Sequence, residues 1–262
     1  MLSLIIPTYC ERDNMEPLIT RLETVRTALG EPLEVLIVDS GSPDGTVEAA
    51  TSRLSRHGLG RVVSLSARSG LAEAVMAGVR QAAGDLIGVM DADLSHPPEL
   101  LPTLMKSVRS GYEVAVASRY VPGGGVIGWS WMRRLLSRLG NQLARPLARV
   151  SDATSGYFVC RADLVNTLRL RPEGFKILLD ILVAGCVHDV EEIPYTFVNR
   201  VRGTSKLSRD ILGLYLRQLA RLYGYRLLHP CRHRPRPPSA RIDEMGLAST
   251  PAVSSFTTRI DA

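Results

Sequence analysis

The feature that most narrows what this chain can fold into is an alternation running through its first half. Short apolar runs of strand length take turns with amphipathic stretches of helix length, and turn-forming residues stand between them. Leu2–Ile6, Leu33–Val38, Arg61–Leu65, Asp85–Met90 and Glu113–Ala117 read as strands. Met15–Leu29, Thr46–Arg56, Leu71–Ala83 and Pro97–Ser110 read as the helices that connect them. This succession predicts βαβ units, hence an α/β fold with an open, mostly parallel sheet. Right-handed crossovers place helices on both of its faces.

Beyond Ser118 the pattern loosens. Gly123-Gly124-Gly125 reads as a flexible loop. Trp129–Ala144 reads as a basic amphipathic helix: Leu135, Leu136, Leu139 and Leu143 form its apolar stripe, and Arg133, Arg134 and Arg138 its charge. Leu164–Leu168 and Lys176–Val183 read as short helices, His188–Phe197 as a strand pair or bend around Pro194, and Lys206–Leu228 as a long helix. From Pro230 the chain is rich in Pro, Arg, Ser and Thr. The expected organisation is one domain over residues 1–228, ending in an amphipathic helix at about 206–228, with a disordered tail over 229–262.

A content of 45% hydrophobic and 22% charged residues excludes a mainly disordered, collagen-like or coiled-coil chain. The net charge of +6 suits an anionic partner, and no motif for specific nucleic-acid recognition accompanies it. Cys10, Cys160, Cys186 and Cys231 lie far apart without a C-x-x-C pair. That spacing argues against a thiolate zinc site and a disulfide scaffold, and predicts a reducing compartment. The N-terminus lacks a basic region before its short apolar run, and no stretch reaches 18 apolar residues. The expectation is a chain without signal peptide or membrane span.

Ligands of open α/β sheets sit outside the carboxyl ends of the strands. Three of the loops there carry acids: Glu11 after the first strand, Asp39 after the second, and Asp91 with Asp93 after the fourth. Residues i and i+2 of an extended segment point to one side, so Asp91 and Asp93 can face one cation. Their hard oxygens suit Mg²⁺ or Mn²⁺ bridging to a diphosphate. Asp44 and Thr46 read as turn and cap residues, His96 as structural, and Asp39 as either a turn acid or an acceptor of bonds from a base or ribose.

Ile5-Ile-Pro-Thr-Tyr-Cys-Glu11, Val38-Asp-Ser-Gly-Ser-Pro-Asp-Gly-Thr46 and Met90-Asp-Ala-Asp-Leu-Ser-His-Pro-Pro-Glu99 resemble the motifs of inverting family-2 glycosyltransferases. Ser118-Arg-Tyr-Val-Pro-Gly-Gly-Gly125, Thr154-Ser-Gly-Tyr157, Gly174-Phe-Lys-Ile-Leu-Leu179 and Arg200-Val-Arg-Gly-Thr-Ser-Lys-Leu207 narrow the resemblance to the dolichyl- or polyprenyl-phosphate mannosyltransferases. The motifs follow in order over about residues 1–228. The resemblance implies a GT-A fold, a nucleotide-sugar donor, usually GDP-mannose, and a polyprenyl phosphate acceptor at a membrane surface. It implies that Pro7, Tyr9, Glu11 and Asp39 hold the nucleoside and that Asp91 and Asp93 hold the metal and diphosphate. Arg119, Arg133 and Ser137 match positions that grip the acceptor phosphate, and Arg200 and Lys206 match a late basic motif near the phosphates. Asp91, Asp93 and Arg119 are the expected catalytic set.

A phosphate monoester has a second pKa of about 6 and is largely dianionic at neutral pH. As nucleophile it needs no general base; it needs cations that align it with the donor. Three positions depart from the family pattern: Cys10 where Asn is usual, Ser40 where a second acid is common, and Ala72 where Gly is common. They leave open a UDP-sugar donor such as UDP-glucose, and a noncatalytic nucleotide-binding subunit of a membrane complex. In the last helix Leu212, Tyr215, Leu216, Leu219, Leu222 and Tyr223 are apolar, while Arg209, Arg217 and Arg221 lie on another face. That helix fits either the lipid headgroup region or the protein core. Basic residues continue through Arg232, Arg234 and Arg236, which favours an anionic leaflet. The expected placement is peripheral, at the cytoplasmic face of a membrane, with a membrane-protein partner left open.

Overall fold

The computed structural model describes residues 1–66, 69–166, 176–199 and 209–231. The first half follows the expected alternation: β1 (Leu2–Thr8), α1 (Arg12–Leu29), β2 (Leu33–Asp39), α2 (Thr46–His57), β3 (Gly60–Ser64), α3 (Leu71–Gln81), β4 (Leu86–Val89), α4 (Leu101–Arg109) and β5 (Val114–Ser118). A 3₁₀ turn over Pro98–Leu100 leads into α4. Prolines enter a first helical turn without loss, because its N–H groups have no intrahelical acceptor. The second half adds β6 (Gly125–Ile127), α5 (Trp131–Ala148), β7 (Phe158–Arg161), α6 (Ala162–Asn166), α7 (Ile177–Ala184), β8 (Val190–Pro194), β9 (Thr196–Val198) and α8 (Arg209–Leu228). The strand pair at His188–Phe197 thus falls into two different sheets.

The main sheet has the order β3-β2-β1-β4-β7-β5-β8, and β6 pairs with β9 in a small second sheet. All main-sheet neighbours are parallel except β7, which runs antiparallel to both β4 and β5. Side chains alternate across the pleat, so both faces of β1 are buried. Leu2, Leu4 and Ile6 join the core beneath α1, α2 and α4, while Ile5 joins the core beneath α3, α6 and α7. The uninterrupted apolar runs Leu4–Pro7 and Val35–Val38 are thereby accounted for by helices on both sides.

The reversal of β7 shapes the site. Parallel strands point their carboxyl ends at the cleft, whereas an antiparallel strand brings its beginning there. Val89 pairs with Phe158, and Val116 pairs with the same residue from the other side. Residues 152–157 therefore arrive between the ends of β4 and β5. Nothing in the sequence pattern marks Phe158–Arg161 as a strand, because its four residues do not alternate.

Three expectations are corrected. Gly123–Gly125 is not a free loop. Gly124 donates to Val121 O, Gly125 donates to Tyr195 O, and a Cβ on Gly124 would lie 2.6 Å from Ser118 O. Glycine is used there for close approach of two backbone segments. The Leu135, Leu139 and Leu143 stripe of α5 is turned outward, each residue 44–50% exposed, and the helix packs inward through Asn141, Ala144, Leu147 and Ala148 instead. The cysteines are not all reduced: Cys186, in the turn after α7, and Cys231, beyond α8, form a disulfide because those two segments lie together. Cys10 and Cys160 are free thiols. Lys206 and the tail beyond residue 231 lie outside the described residues. No helix among the described residues is long and apolar enough to cross a membrane.

Gly78 sets how closely α3 approaches the sheet. A Cβ there would lie 2.6 Å from Ile5 Cγ2 and 3.1 Å from Val38 Cγ2. Gly78→Ala is expected to push α3 outward and cost about 1–3 kcal/mol, read as a lower midpoint of urea unfolding.

Candidate active site

The β1–α1 and β2–α2 loops are stitched into one floor. Register places Thr8 beside Asp39, and the Thr8 hydroxyl donates to Asp39 Oδ1 at 3.1 Å. Ser42 donates from its N–H to Asp39 Oδ2 and from its hydroxyl to Oδ1, at 2.8 and 2.6 Å. Asp39 is fully buried, so its carboxylate primarily fixes the turn. The N–H of Cys10 donates to the Ser42 hydroxyl, Glu11 N–H to the Thr46 hydroxyl, and Arg12 N–H to Asp44 Oδ2. Burial alone would raise the Asp44 carboxyl, but the Thr46 hydroxyl and the backbone N–H of Arg12 and Thr46 hold it below its ordinary value. Asp44 and Thr46 thus have the structural role read from their sequence. Pro7, Tyr9 and Glu11 line the edge of this floor half-buried.

Asp91 and Asp93 follow β4, but on a bent loop rather than an extended segment; Leu94 takes a φ of 62°. The spacing argument for a shared side therefore fails. What remains is proximity to the strand end, with Asp91 34% exposed at its side chain and Asp93 buried at 7%. Asp93 Oδ1 accepts from Ser95 N–H at 3.0 Å and from the Ser95 hydroxyl at 2.5 Å. His96 Nδ1 accepts from Asp91 N–H at 3.1 Å. Burial pushes the His96 imidazole below its usual range, against the pull of Asp91 and Asp93.

Across the cleft, Arg119 at the end of β5 forms a bidentate pair with Asp152. Nε donates to Oδ2 at 2.7 Å, a terminal nitrogen to Oδ1 at 2.6 Å, and the Arg119 N–H to Oδ2 at 3.0 Å. Both side chains are buried, at 8% and 0% exposure. Burial would raise the Asp152 carboxyl, but the Arg119 charge holds it below its ordinary value. Glu192 on β8 accepts from the N–H groups of Ser151 and Asp152. Asn141 on α5 accepts from Thr154 N–H, and Thr154 accepts from Arg119. The Arg119 guanidinium also faces the Trp129 ring at 5.3 Å, which Arg133 covers at 4.1 Å. Tyr120 donates to the Ser137 hydroxyl at 2.7 Å. Arg119, Arg133 and Ser137, matched only by motif in the sequence, therefore belong to one cluster.

Arg200 and Lys206, like Gly174 and Phe175, lie outside the described residues. The structure adds residues that sequence reasoning passed over: Asp152, Thr154, Asn141, Glu192 and Lys176. Burial and then Arg119 lower the Lys176 ammonium to about 8, against the pull of Asp91 and Asp152. Its place in the late Gly174–Leu179 motif was the only signal for it.

The donor set fits a hard divalent cation. Among the described residues no cluster of three or more His, Cys, Asp or Glu forms a closed cage. Mg²⁺ and similar ions are commonly held by one or two carboxylates together with substrate phosphates. Asp91 and Asp93 supply that kind of incomplete shell beside a cationic wall.

Comparison with known proteins places this fold and arrangement among the glycosyltransferases. Residues 3–169 match the glycosyl transferase family 2 model, and the chain belongs to that family. It is 41% identical over 224 residues to a dolichol-phosphate mannosyltransferase of Pyrococcus furiosus, a match covering 84% of this chain and 63% of that relative's length. It is 36% and 35% identical to proteins of the same name from Mycosarcoma maydis and Saccharomyces cerevisiae, covering 86% of this chain in each case and 79% and 87% of theirs. Among solved structures, the mannosyl-3-phosphoglycerate synthase of Rubrobacter xylanophilus superposes with a TM-score of 0.65 at 20% identity, over 91% of this chain and 78% of that one. A Pyrobaculum calidifontis mannosyltransferase in complex with GDP-Man and Mn²⁺ gives 0.58 at 19% identity, over 91% and 66%. The fold is GT-A-like, and the protein is a glycosyltransferase.

Removing Asp152 would strand a buried guanidinium. Asp152→Ala is expected to destabilise the protein by about 3–5 kcal/mol, measured by chemical denaturation, whereas exposed arginines such as Arg134 should tolerate truncation.

Proposed function

We propose that this glycosyltransferase moves mannose from GDP-mannose to a polyprenyl (dolichyl) phosphate with inversion at the sugar carbon. The observation that carries the reading is that the loop of Asp91 and Asp93 and the arginines meet on one aromatic cluster: His96, bonded to Asp91 N–H, touches Phe197, and Arg119 and Arg133 lie over Phe197 and Trp129. The names of the relatives at 35–41% identity support the acceptor and the sugar. The neighbour solved with GDP-Man and Mn²⁺ supports the donor and a divalent ion.

In this reading the β1–α1 and β2–α2 floor takes the nucleoside through Pro7, Tyr9 and Glu11, with buried Asp39 holding the turn beneath them. Asp91 and Asp93 hold Mg²⁺ or Mn²⁺, which when bound offsets the charge developing on the departing diphosphate. Arg119, Arg133 and Ser137 hold the acceptor phosphate, joined by Arg200 and Lys206. Lys176 adds a further positive charge between the two anions. The acceptor phosphate attacks as a dianion, so no side chain has to remove a proton. The work of the protein is to bring two mutually repelling anions into line, and fixed cations accomplish that. The bidentate bond to Asp152 supplies that fixity for Arg119.

The expected result of an extraction assay is label in the organic phase from radiolabelled GDP-mannose. It should require both a polyprenyl phosphate and Mg²⁺ or Mn²⁺, and be abolished by a chelator. Asp91→Ala should lower the rate by about 10²-fold or more. Label from UDP-glucose alone would replace the donor. Nucleotide binding without product, with acceptor present, would favour a noncatalytic subunit.

The outer face of the molecule supports a peripheral position at the cytoplasmic face of a membrane. Tyr215 donates to Gly140 O and Tyr223 to Leu143 O, so α5 and α8 lie side by side. α8 answers both sequence readings at once: Leu219 and Leu222 are buried, while Leu212, Leu216 and Tyr223 are exposed. With Leu135, Leu139 and Leu143 of α5 they give two adjoining helices with apolar exposure, and Arg134, Arg138 and Arg145 are exposed on α5. Apolar residues flanked by arginines suit an anionic lipid surface. The protein should sediment with vesicles containing phosphatidylserine, and Leu139→Glu with Leu216→Glu should release it by about tenfold without a change in nucleotide binding.

A further inference from the structure

Asp91 reaches the cleft from a bend beyond β4, where the sheet no longer holds its backbone. The last ladder bond is made by Met90, whose N–H donates to Ile5 O. One residue later the N–H of Asp91 donates to His96 Nδ1 instead, at 3.1 Å. That bond requires an unprotonated Nδ1, and the ring is immobilised to keep it there. His96 is 2% exposed. It stacks on Tyr157 with ring centres 5.2 Å apart, and the rings of Tyr195 and Phe197 meet it edgewise at 5.9 Å each. Tyr157 is itself anchored by its hydroxyl, which donates to Pro97 O at 2.9 Å.

Gly156 closes the arrangement from the start of β7. A Cβ at this position would lie 3.3 Å from Asp91 Oδ2, 3.4 Å from Oδ1 and 3.3 Å from His96 Cε1. Its φ is not in the left-handed region, so backbone conformation does not call for glycine here. Space beside the carboxylate does.

We propose that His96 and Gly156 are positioning residues for the Asp91 carboxylate. His96 fixes the backbone from which the side chain springs, and Gly156 leaves the gap in which its oxygens point toward the cation. The inference deepens the reading of Asp91 as a metal-holding residue and rests on it. Partners of this kind around metal ligands are worth about 10–100-fold in metal affinity.

The test is Mn²⁺ binding to the full chain, followed by electron paramagnetic resonance, with and without GDP. Gly156→Ala and His96→Leu are each expected to weaken Mn²⁺ binding about tenfold or more. Gly156→Ala should melt within about 4 °C of the parent protein. His96→Asn, whose amide oxygen can take the place of Nδ1 as acceptor, should stay within about threefold of the parent. Parent-like Mn²⁺ binding by Gly156→Ala would overturn the role of the gap. Equal losses in His96→Asn and His96→Leu would overturn the role of the hydrogen bond and leave only packing. Should His96→Leu fail to fold, Gly156→Ala and His96→Asn decide the matter. Parent protein that binds Mn²⁺ but not GDP would refute the donor while leaving this inference to stand on the Mn²⁺ data alone. Parent protein that binds no Mn²⁺ would refute both.

Discussion

A guanidinium and a carboxylate that have both left water hold together the side of this cleft that lies beyond β4. Desolvating such a pair is expensive, and it persists where geometry is bidentate and the remaining lone pairs are occupied. Arg119 and Asp152 meet those conditions, with Asn141 from α5, Thr154 from the β7 approach and Glu192 from β8 engaged around them. Four separate segments are thus referred to one charge pair. A cation held this way loses little freedom when an anion arrives. Arg133 stands beside it over the same Trp129 ring.

Much of this architecture can be read along the chain, and the reasons for the failures are physical. Buried strands on both sides of β1 announce themselves because an uninterrupted apolar run has one consistent explanation. Asp91 and Asp93 stand out because acids at the end of such a run are costly unless used. Phe158–Arg161 stays hidden because four residues flanked by a turn and a helix carry no period. Asp152 stays hidden because its meaning lies in a partner 33 residues away. The leucines of α5 show a sound helical stripe, but a stripe states only that a face is apolar. Whether protein or another apolar phase covers it is decided by the neighbours, and here α5 is anchored by a different face.

The loops after β1 and β4 both pass through left-handed backbone at residues other than glycine: Cys10 at φ 57° and Leu94 at φ 62°. Asn and Asp reach that region more readily than Cys or Leu. The position where the family usually has Asn is thus one where Asn is conformationally favoured, and Cys10 adopts the same turn at some cost in strain. Its N–H still donates to the Ser42 hydroxyl, so the stitch between the loops survives the exchange. Ala72 is explained more simply: it is buried in α3 with room for its methyl group. Neither departure disturbs the acid pair.

The antiparallel strand at the heart of the sheet also governs the order in which this protein can come into being. β4 and β5 are joined through β7, and β7 follows them by some forty residues. A growing chain that has just finished β5 has β4 with its outer edge unpaired and β5 without either of its strand neighbours. Such an edge is a template for pairing with other chains. Closure must wait for a contact of long sequence separation, the slow kind in folding. The βαβ half, which looks self-sufficient on paper, is therefore an incomplete sheet, and the strands on either side of β7 are committed to fold together.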